Sequence, residues 1–285
     1  MIHGVKIEVI EPHGMCAGVN AAVAKARRFA NAYCLHAPVH SEIVVDELKG
    51  LGCRIVDRIE NVPDGETVVF PAHGVTPWTR EYAAAHGLKV VDATCPSVER
   101  AHRAARDFVR RGLPVAVIGD PDHDEVKGIL GEIPDGMLVD VSAGGDAAAR
   151  RRIGVVAQTS MNSDEVARQV ELLKGRYDVE GVPEVCRATK DRQDAVRGFC
   201  ARAAETNGGK YAVLVLGSRT SANAKRLAEV AGQCGARAIL AGGMDELRAV
   251  DFAGVEVLGV TSGASTPESF FAEAVGFLMD EGGES

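Results

Sequence analysis

The stretch "LKVVDATCPSVERAHRAARDF", residues 88–108, changes periodicity within a few residues. "LKVVDAT" reads as a buried β-strand, apolar and β-branched, and "PSVERAHRAARDF" as a helix that opens on a proline. Cys95 stands between them, at a helix start, where the macrodipole favours negative charge. The same unit recurs along the chain: a short Val/Ile-rich strand, a loop of small and polar residues, then an amphipathic helix. "VKIEVIEPHGMCAGVNAAVAKARRFANA", "LPVAVIGDPDHDEVKGILG", "IGVVAQTSMNSDEVARQVELLKG", "YAVLVLGSRTSANAKRLAEVAGQCG" and "VEVLGVTSGASTPESFFAEAVGFL" are its clearest instances. Continuous apolar strands alternating with helices predict an α/β protein with parallel sheets covered on both faces. Helix starts are marked as well: Asn162 or Ser163 caps "DEVARQVELL", and Thr266-Pro267-Glu268 offers a cap, a first-turn proline and an early acid.

The 285 residues suffice for two or three domains. A formal charge of −8 and a pI near 5.5 argue against a nucleic-acid partner. They leave room for an anionic ligand in a locally positive pocket. No apolar run approaches the ~20 residues that span a bilayer, and the N-terminal stretch is too short and too acidic for a signal peptide, so a cytoplasmic protein is expected. Seven cysteines without an export signal do not suggest a disulfide framework.

In parallel α/β folds, ligands bind beyond the carboxyl ends of the strands. The loops expected there hold His13 and Cys16, His40, His73, Thr94 and Cys95, His123 and Glu125, Gln158 and Thr159, Cys186, Ser221 and Asn223, and Ser265. Cys34, Cys53, Cys200 and Cys234 fall outside those loops and read as structural. Cys16, Cys95 and Cys186, far apart in sequence, suit either a zinc ion with an open position or an iron–sulfur cluster with one iron uncapped; zinc is the simpler guess from chemistry alone. "GSRTSAN" and "TSGAS" are loops whose N–H groups and hydroxyls can hold phosphate, with His40 and His73 as further donors. "GVNAAVAKA" is helix packing, and no dinucleotide fingerprint is present.

The ordered motifs "GMCAGV", "VHSEIVVDELKGLG", "AHGV", "DATCP", "GDPDHDEVKG", "AQTS", "VCRATKDRQDAV", "GSRTSANAKRL" and "GVTSGASTPE" cover almost the whole chain. Through them it resembles the LytB-type 4-hydroxy-3-methylbut-2-enyl diphosphate reductases, iron–sulfur enzymes of the non-mevalonate isoprenoid pathway. The resemblance implies a trefoil of three pseudo-symmetric α/β domains, residues 14–94, 95–190, and 191–285 with 1–13, around a central [4Fe–4S] cluster. It implies Cys16, Cys95 and Cys186 as ligands and one iron without a protein ligand, open to the substrate hydroxyl. It implies Glu125 as proton source, Thr159 as relay and His123 as a helper near the diphosphate. His40, His73, Ser221, Asn223 and Ser265 would hold that diphosphate, and ferredoxin or flavodoxin would supply electrons one at a time. Dehydroxylation would give isopentenyl and dimethylallyl diphosphate.

The pattern is not followed everywhere: His13-Gly14-Met15 replaces a usual Arg-Gly-Phe, and Asn20, Ser41, Ala222 and Arg187 also depart from it. Two alternatives keep the cluster: a divergent paralogue acting on another substrate, and a non-catalytic redox protein. Retention of both Glu125 and Thr159 speaks against the second.

Overall fold

The computed structural model describes residues 4–139, 151–207 and 210–282. Residues 1–3, 208–209 and 283–285 of the expected third domain, and 140–150 of the second, lie outside the described residues. The chain begins with β1 (Lys6–Val9), α1 (Ala17–Arg27), β2 (Tyr33–Leu35), α2 (Glu42–Gly50), β3 (Arg54–Val56), β4 (Thr67–Phe70) and α3 (Pro77–Ala85). Next come β5 (Lys89–Asp92), α4 (Pro96–Arg110), β6 (Val115–Ile118), α5 (Asp124–Leu130), β7 (Arg152–Ala157), α6 (Ser163–Lys174) and β8 (Asp178–Glu180). The last third holds α7 (Arg187–Asn207), β9 (Tyr211–Leu216), α8 (Ala222–Gln233), β10 (Arg237–Ala241), α9 (Met244–Arg248), β11 (Val257–Ser262) and α10 (Glu268–Asp280). Among these residues every ladder is parallel, in three sheets, so the fold class is α/β.

The chain divides into two compact units, one of residues 1–17, 40–44 and 187–285, the other of residues 18–39 and 45–186. The first unit carries the sheet β1-β11-β9-β10, in which the N-terminal strand pairs with a strand from the C-terminal end. All six residues of β9 are buried because each face of that strand meets helices. Leu214 and Leu216 pack with Phe270, Ala274 and Leu278 of α10. Val213 and Val215 pack with Val196 and Phe199 of α7 and Leu227 of α8. That two-sided burial is why the strand reads as an unbroken apolar run.

The second unit holds two sheets, β3-β2-β4-β5 and β6-β7-β8. In the latter, Ile153 and Val155 of β7 face Val166 and Leu173 of α6. Val156, on the other face, packs with Phe108 of α4 and Ile129 of α5. Two sequence expectations need correction. The strand at residues 88–94 is not buried: β5 is an edge strand, paired only with β4, and leaves Lys89 and Val90 exposed. Thr266 does not cap α10, because its hydroxyl donates to the Leu216 carbonyl (2.8 Å), and Pro267 occupies the cap position. Asn162 caps α6 by accepting from the Asp164 N–H at 2.9 Å.

Phe199 is 1% exposed. Its replacement by alanine is expected to lower unfolding free energy by about 3–5 kcal/mol, read by chemical denaturation. A loss below about 1 kcal/mol would show that α7 does not seal this face of the sheet.

Candidate active site

Cys16, Cys95 and Cys186 each immediately precede a helix, α1, α4 and α7 respectively. Their main chains are anchored alike. The Cys16 N–H donates to the Ala264 carbonyl (3.0 Å), that of Cys95 to Ala72 (2.9 Å), and that of Cys186 to Thr159 (3.0 Å). Ala264, Ala72 and Thr159 are each the second residue beyond a strand, β11, β4 and β7. His73 and Ser265 are each the third. One backbone device, used three times, carries the cysteines to the carboxyl ends of parallel strands.

Cys95 fills the N-cap position of α4 with extended backbone, yet its thiol makes no capping bond, and Pro96 follows it. Serine, threonine, asparagine and aspartate cap well, so a thiol here serves another purpose. All three thiols are partly exposed and none is in a disulfide. The neighbouring Thr94 is tied back to the strand end, its N–H donating to Asp92 Oδ1 (2.9 Å) and its hydroxyl helping to hold that carboxyl below its usual range. A thiol just before a helix N-terminus is placed where the thiolate form, the one that binds soft metal, is favoured.

In the first unit, Ser265 Oγ donates to the His40 carbonyl (2.9 Å) and to Ser221 Oγ (3.4 Å), which brings three of the expected anion-binding residues together. Ser221 also caps α8. Asn223 accepts from the Ala264 N–H at 2.8 Å and donates to Thr189 Oγ1 at 3.1 Å, fixing the turn that carries Ser265. Arg192, buried in α7, donates to the Gly14 carbonyl at 2.7 Å and so holds the loop that leads to Cys16. Glu42 accepts from Ser218 Oγ (2.8 Å), in the loop between β9 and α8. The sequence reading missed Thr189, Arg192 and Glu42; Thr189 and Arg192 stand inside "VCRATKDRQ", but nothing local marks them as supports.

In the second unit, Glu125 is 3% exposed in the first turn of α5. The Thr159 N–H donates to its Oε1 (2.7 Å) and Thr159 Oγ1 to its Oε2 (3.1 Å). Burial pushes the Glu125 carboxyl up to about 7, against the two hydrogen bonds from Thr159, which favour the charged form. His123 caps α5, its Nδ1 accepting from the Glu125 N–H at 3.1 Å, so in the neutral ring the proton sits on Nε2. His73 is buried, with Nε2 3.8 Å from Asp124 Oδ2, a neighbour that sequence reasoning did not single out.

The departures from pattern are accommodated locally. The His13 ring stacks on Phe271 at 3.8 Å and lies between Glu11 (3.0 Å) and Glu268 (3.3 Å). Ala222 opens α8 directly after the Ser221 cap. Ser41 is buried, and Arg187 is exposed and 3.5 Å from Asp191.

Parallel α/β sheets with thiols at helix starts beyond the strand ends and a buried carboxyl bonded to Thr159 are the frame of an α/β enzyme rather than of a structural protein. The model of the LytB protein family matches residues 7–279, and the chain belongs to that family. It is 36% identical over 289 residues to the 4-hydroxy-3-methylbut-2-enyl diphosphate reductase of Acidithiobacillus ferrooxidans, covering 97% of this chain and 89% of that one. The Acinetobacter baylyi enzyme of the same name is 35% identical, with 98% and 92% covered. Among solved structures, the E-1-hydroxy-2-methyl-but-2-enyl-4-diphosphate reductase from Plasmodium falciparum superimposes with a TM-score of 0.86 at 27% identity, covering 96% of this chain and 88% of that one. A second, described as (E)-4-hydroxy-3-methyl-but-2-enyl diphosphate reductase, the terminal enzyme of the non-mevalonate pathway, gives 0.63 at 27% identity, covering 97% and 99%.

The Glu125 carboxyl is expected to titrate with a midpoint of about 7 in infrared difference spectra. Thr159→Val removes a donor to the carboxylate and is expected to raise that midpoint further. A wild-type midpoint at the ordinary ~4.3 would overturn the assignment.

Proposed function

We propose that this chain removes the hydroxyl of 4-hydroxy-3-methylbut-2-enyl diphosphate as water, consuming two electrons and two protons, and gives isopentenyl and dimethylallyl diphosphate. This is the last step of the non-mevalonate isoprenoid pathway. The observation that carries the reading is one connected chain: Glu125, pushed up to about 7, bonded twice to Thr159, whose carbonyl in turn holds the Cys186 N–H.

Cys16, Cys95 and Cys186 hold a [4Fe–4S] cluster in this reading, three ligands for four irons. When bound, the cluster supplies single electrons and one Lewis-acidic iron without a protein ligand. Family membership favours it over zinc, which has no electrons to give. His40, Ser221 and Ser265 bind the diphosphate, and Asn223 shapes the turn that presents Ser265. His73 and His123 add N–H donors, His123 through Nε2. Thr159 Oγ1 donates to the charged carboxylate and accepts from the neutral acid, so the Glu125–Thr159 pair moves a proton in either direction. A carboxyl poised near neutrality is suited to releasing that proton and recovering it. Ferredoxin or flavodoxin serves as electron donor, and the cytoplasm as compartment. No helix among the described residues is long and apolar enough to cross a membrane. The division into segments 14–94, 95–190, and 191–285 with 1–13 is proposed with it, supported by one sheet per segment.

Cluster-loaded protein with a reduced viologen dye, under anaerobic conditions, is expected to convert the substrate to both products. Glu125→Gln is expected to lower kcat by about 10²–10⁴-fold with the cluster retained. Cys95→Ser is expected to lose the full cluster by iron analysis and electron paramagnetic resonance. No turnover with an intact cluster would move the assignment to a paralogue with a different substrate.

A further inference from the structure

His102 lies seven residues into α4 from Cys95 and is 1% exposed. Its Nδ1 is 2.8 Å from Glu132 Oε1, just beyond the end of α5. The same oxygen accepts from Arg106 Nη1 (2.7 Å), and Arg106 Nη2 donates to Glu99 (2.7 Å). Burial alone would push the Glu132 carboxyl up, but the His102 hydrogen bond and the Arg106 charge outweigh it and hold the carboxyl below its usual range. Glu132 is therefore an acceptor, and Nδ1 of His102 is the donor.

The far side of the ring is packed against main chain. A Cβ placed on Gly74 would lie 2.9 Å from His102 Nε2, and one on Gly128 would lie 3.1 Å from Cε1 and 3.2 Å from Nε2. Gly74 also has φ of +80°, a conformation that favours glycine on its own account. His102 Nε2 is buried with no hydrogen-bond partner, a state that stability alone does not select. A leucine would fill such a notch without that cost.

The segments that meet at this ring are those that carry the site. α4 begins at Cys95, the turn at Gly74 follows His73, and α5 begins at His123 and Glu125. We infer that His102, anchored by Glu132, is a positioning residue that keys the Cys95 helix, the His73 turn and the Glu125 helix to one another. The inference rests on the proposed roles of those three residues. It adds that their spacing is set by a side chain that touches none of the reacting groups. Misplacement of about 1 Å can cost about a hundredfold in rate, so small rotations about this ring matter.

The test compares His102→Asn, His102→Leu and Gly128→Ala in cluster-loaded protein. Asn keeps a nitrogen donor for Glu132 and empties the notch. Leu fills the notch without the donor, and Gly128→Ala presses on the ring from α5 while favouring the helix. The expected result is iron content and Tm near wild type, with kcat per cluster lowered and KM for the diphosphate raised, each by about tenfold or more. Leu is expected to be worse than Asn, and Gly128→Ala to follow the same direction. Losses that track the unfolded fraction, with kcat per cluster and KM unchanged, would overturn the inference. Should His102→Leu fail to fold, Gly128→Ala decides it alone. An inactive wild type would refute the proposed function instead; the infrared midpoint of Glu125 then decides, a displaced midpoint in Gly128→Ala supporting the keying and an unmoved one overturning it.

Discussion

A main-chain hydrogen bond, from the N–H of a cysteine to the carbonyl two residues beyond a parallel strand, underlies the placement of the site. It occurs at Cys16 with Ala264, at Cys95 with Ala72 and at Cys186 with Thr159. Because it uses backbone alone, it is indifferent to the side chain that the strand-end residue carries: two are alanine and the third is the functional Thr159. Each bond joins a helix start to a strand finish. Parallel ladders put all strand finishes of a sheet at one edge, so the residues after them, His73 and Ser265 included, share an edge with a cysteine. The chemistry of the loops thus depends on strand polarity before it depends on any contact between side chains.

Within that frame, the polar groups of the site are held under competing pressures. Burial disfavours the Glu125 carboxylate, while Thr159 offers it two donors; burial prevails, and the group stays near neutrality. A fully solvated glutamate has already lost its proton at neutral pH, and a salt-bridged one more completely still. The unsatisfied His102 Nε2 belongs to the same pattern. Buried polar atoms are nearly always partnered, and this one sits between the helix that follows Cys95 and the glycines at 74 and 128.

Much of this could be read from sequence because the strongest signals are local. The unbroken apolar runs at residues 211–216 and 257–262 follow from burial on both sheet faces, and Asn162 caps the helix where composition suggested. The strand before Cys95 misled because an edge strand and a central strand share a composition; only pairing distinguishes them. Thr266 misled because its hydroxyl prefers a distant carbonyl, that of Leu216, to the adjacent N–H groups. The ordered motifs made the candidate site residues legible. Their supports were not, since Arg192 on Gly14 and Glu132 on His102 act across 178 and 30 residues. Such pairings leave no periodicity, and the elevation of Glu125 arises only once tertiary burial exists.

The seven cysteines differ in environment without any local signature. Cys34 is buried beside Cys53, and Cys200 beside Cys234; burial first, then the neighbouring thiol, pushes Cys34 and Cys200 up to about 12. A thiol so held remains protonated at any physiological pH and is a poor metal ligand, since the thiolate is what binds. Cys16, Cys95 and Cys186 are instead partly exposed and stand before helices, where negative charge is favoured. Cys234 is partly exposed as well but ends α8 rather than preceding a helix, so it is position, not exposure alone, that sets the three proposed ligands apart. A sequence motif such as two cysteines three apart is unnecessary when strand ends and helix starts do the sorting.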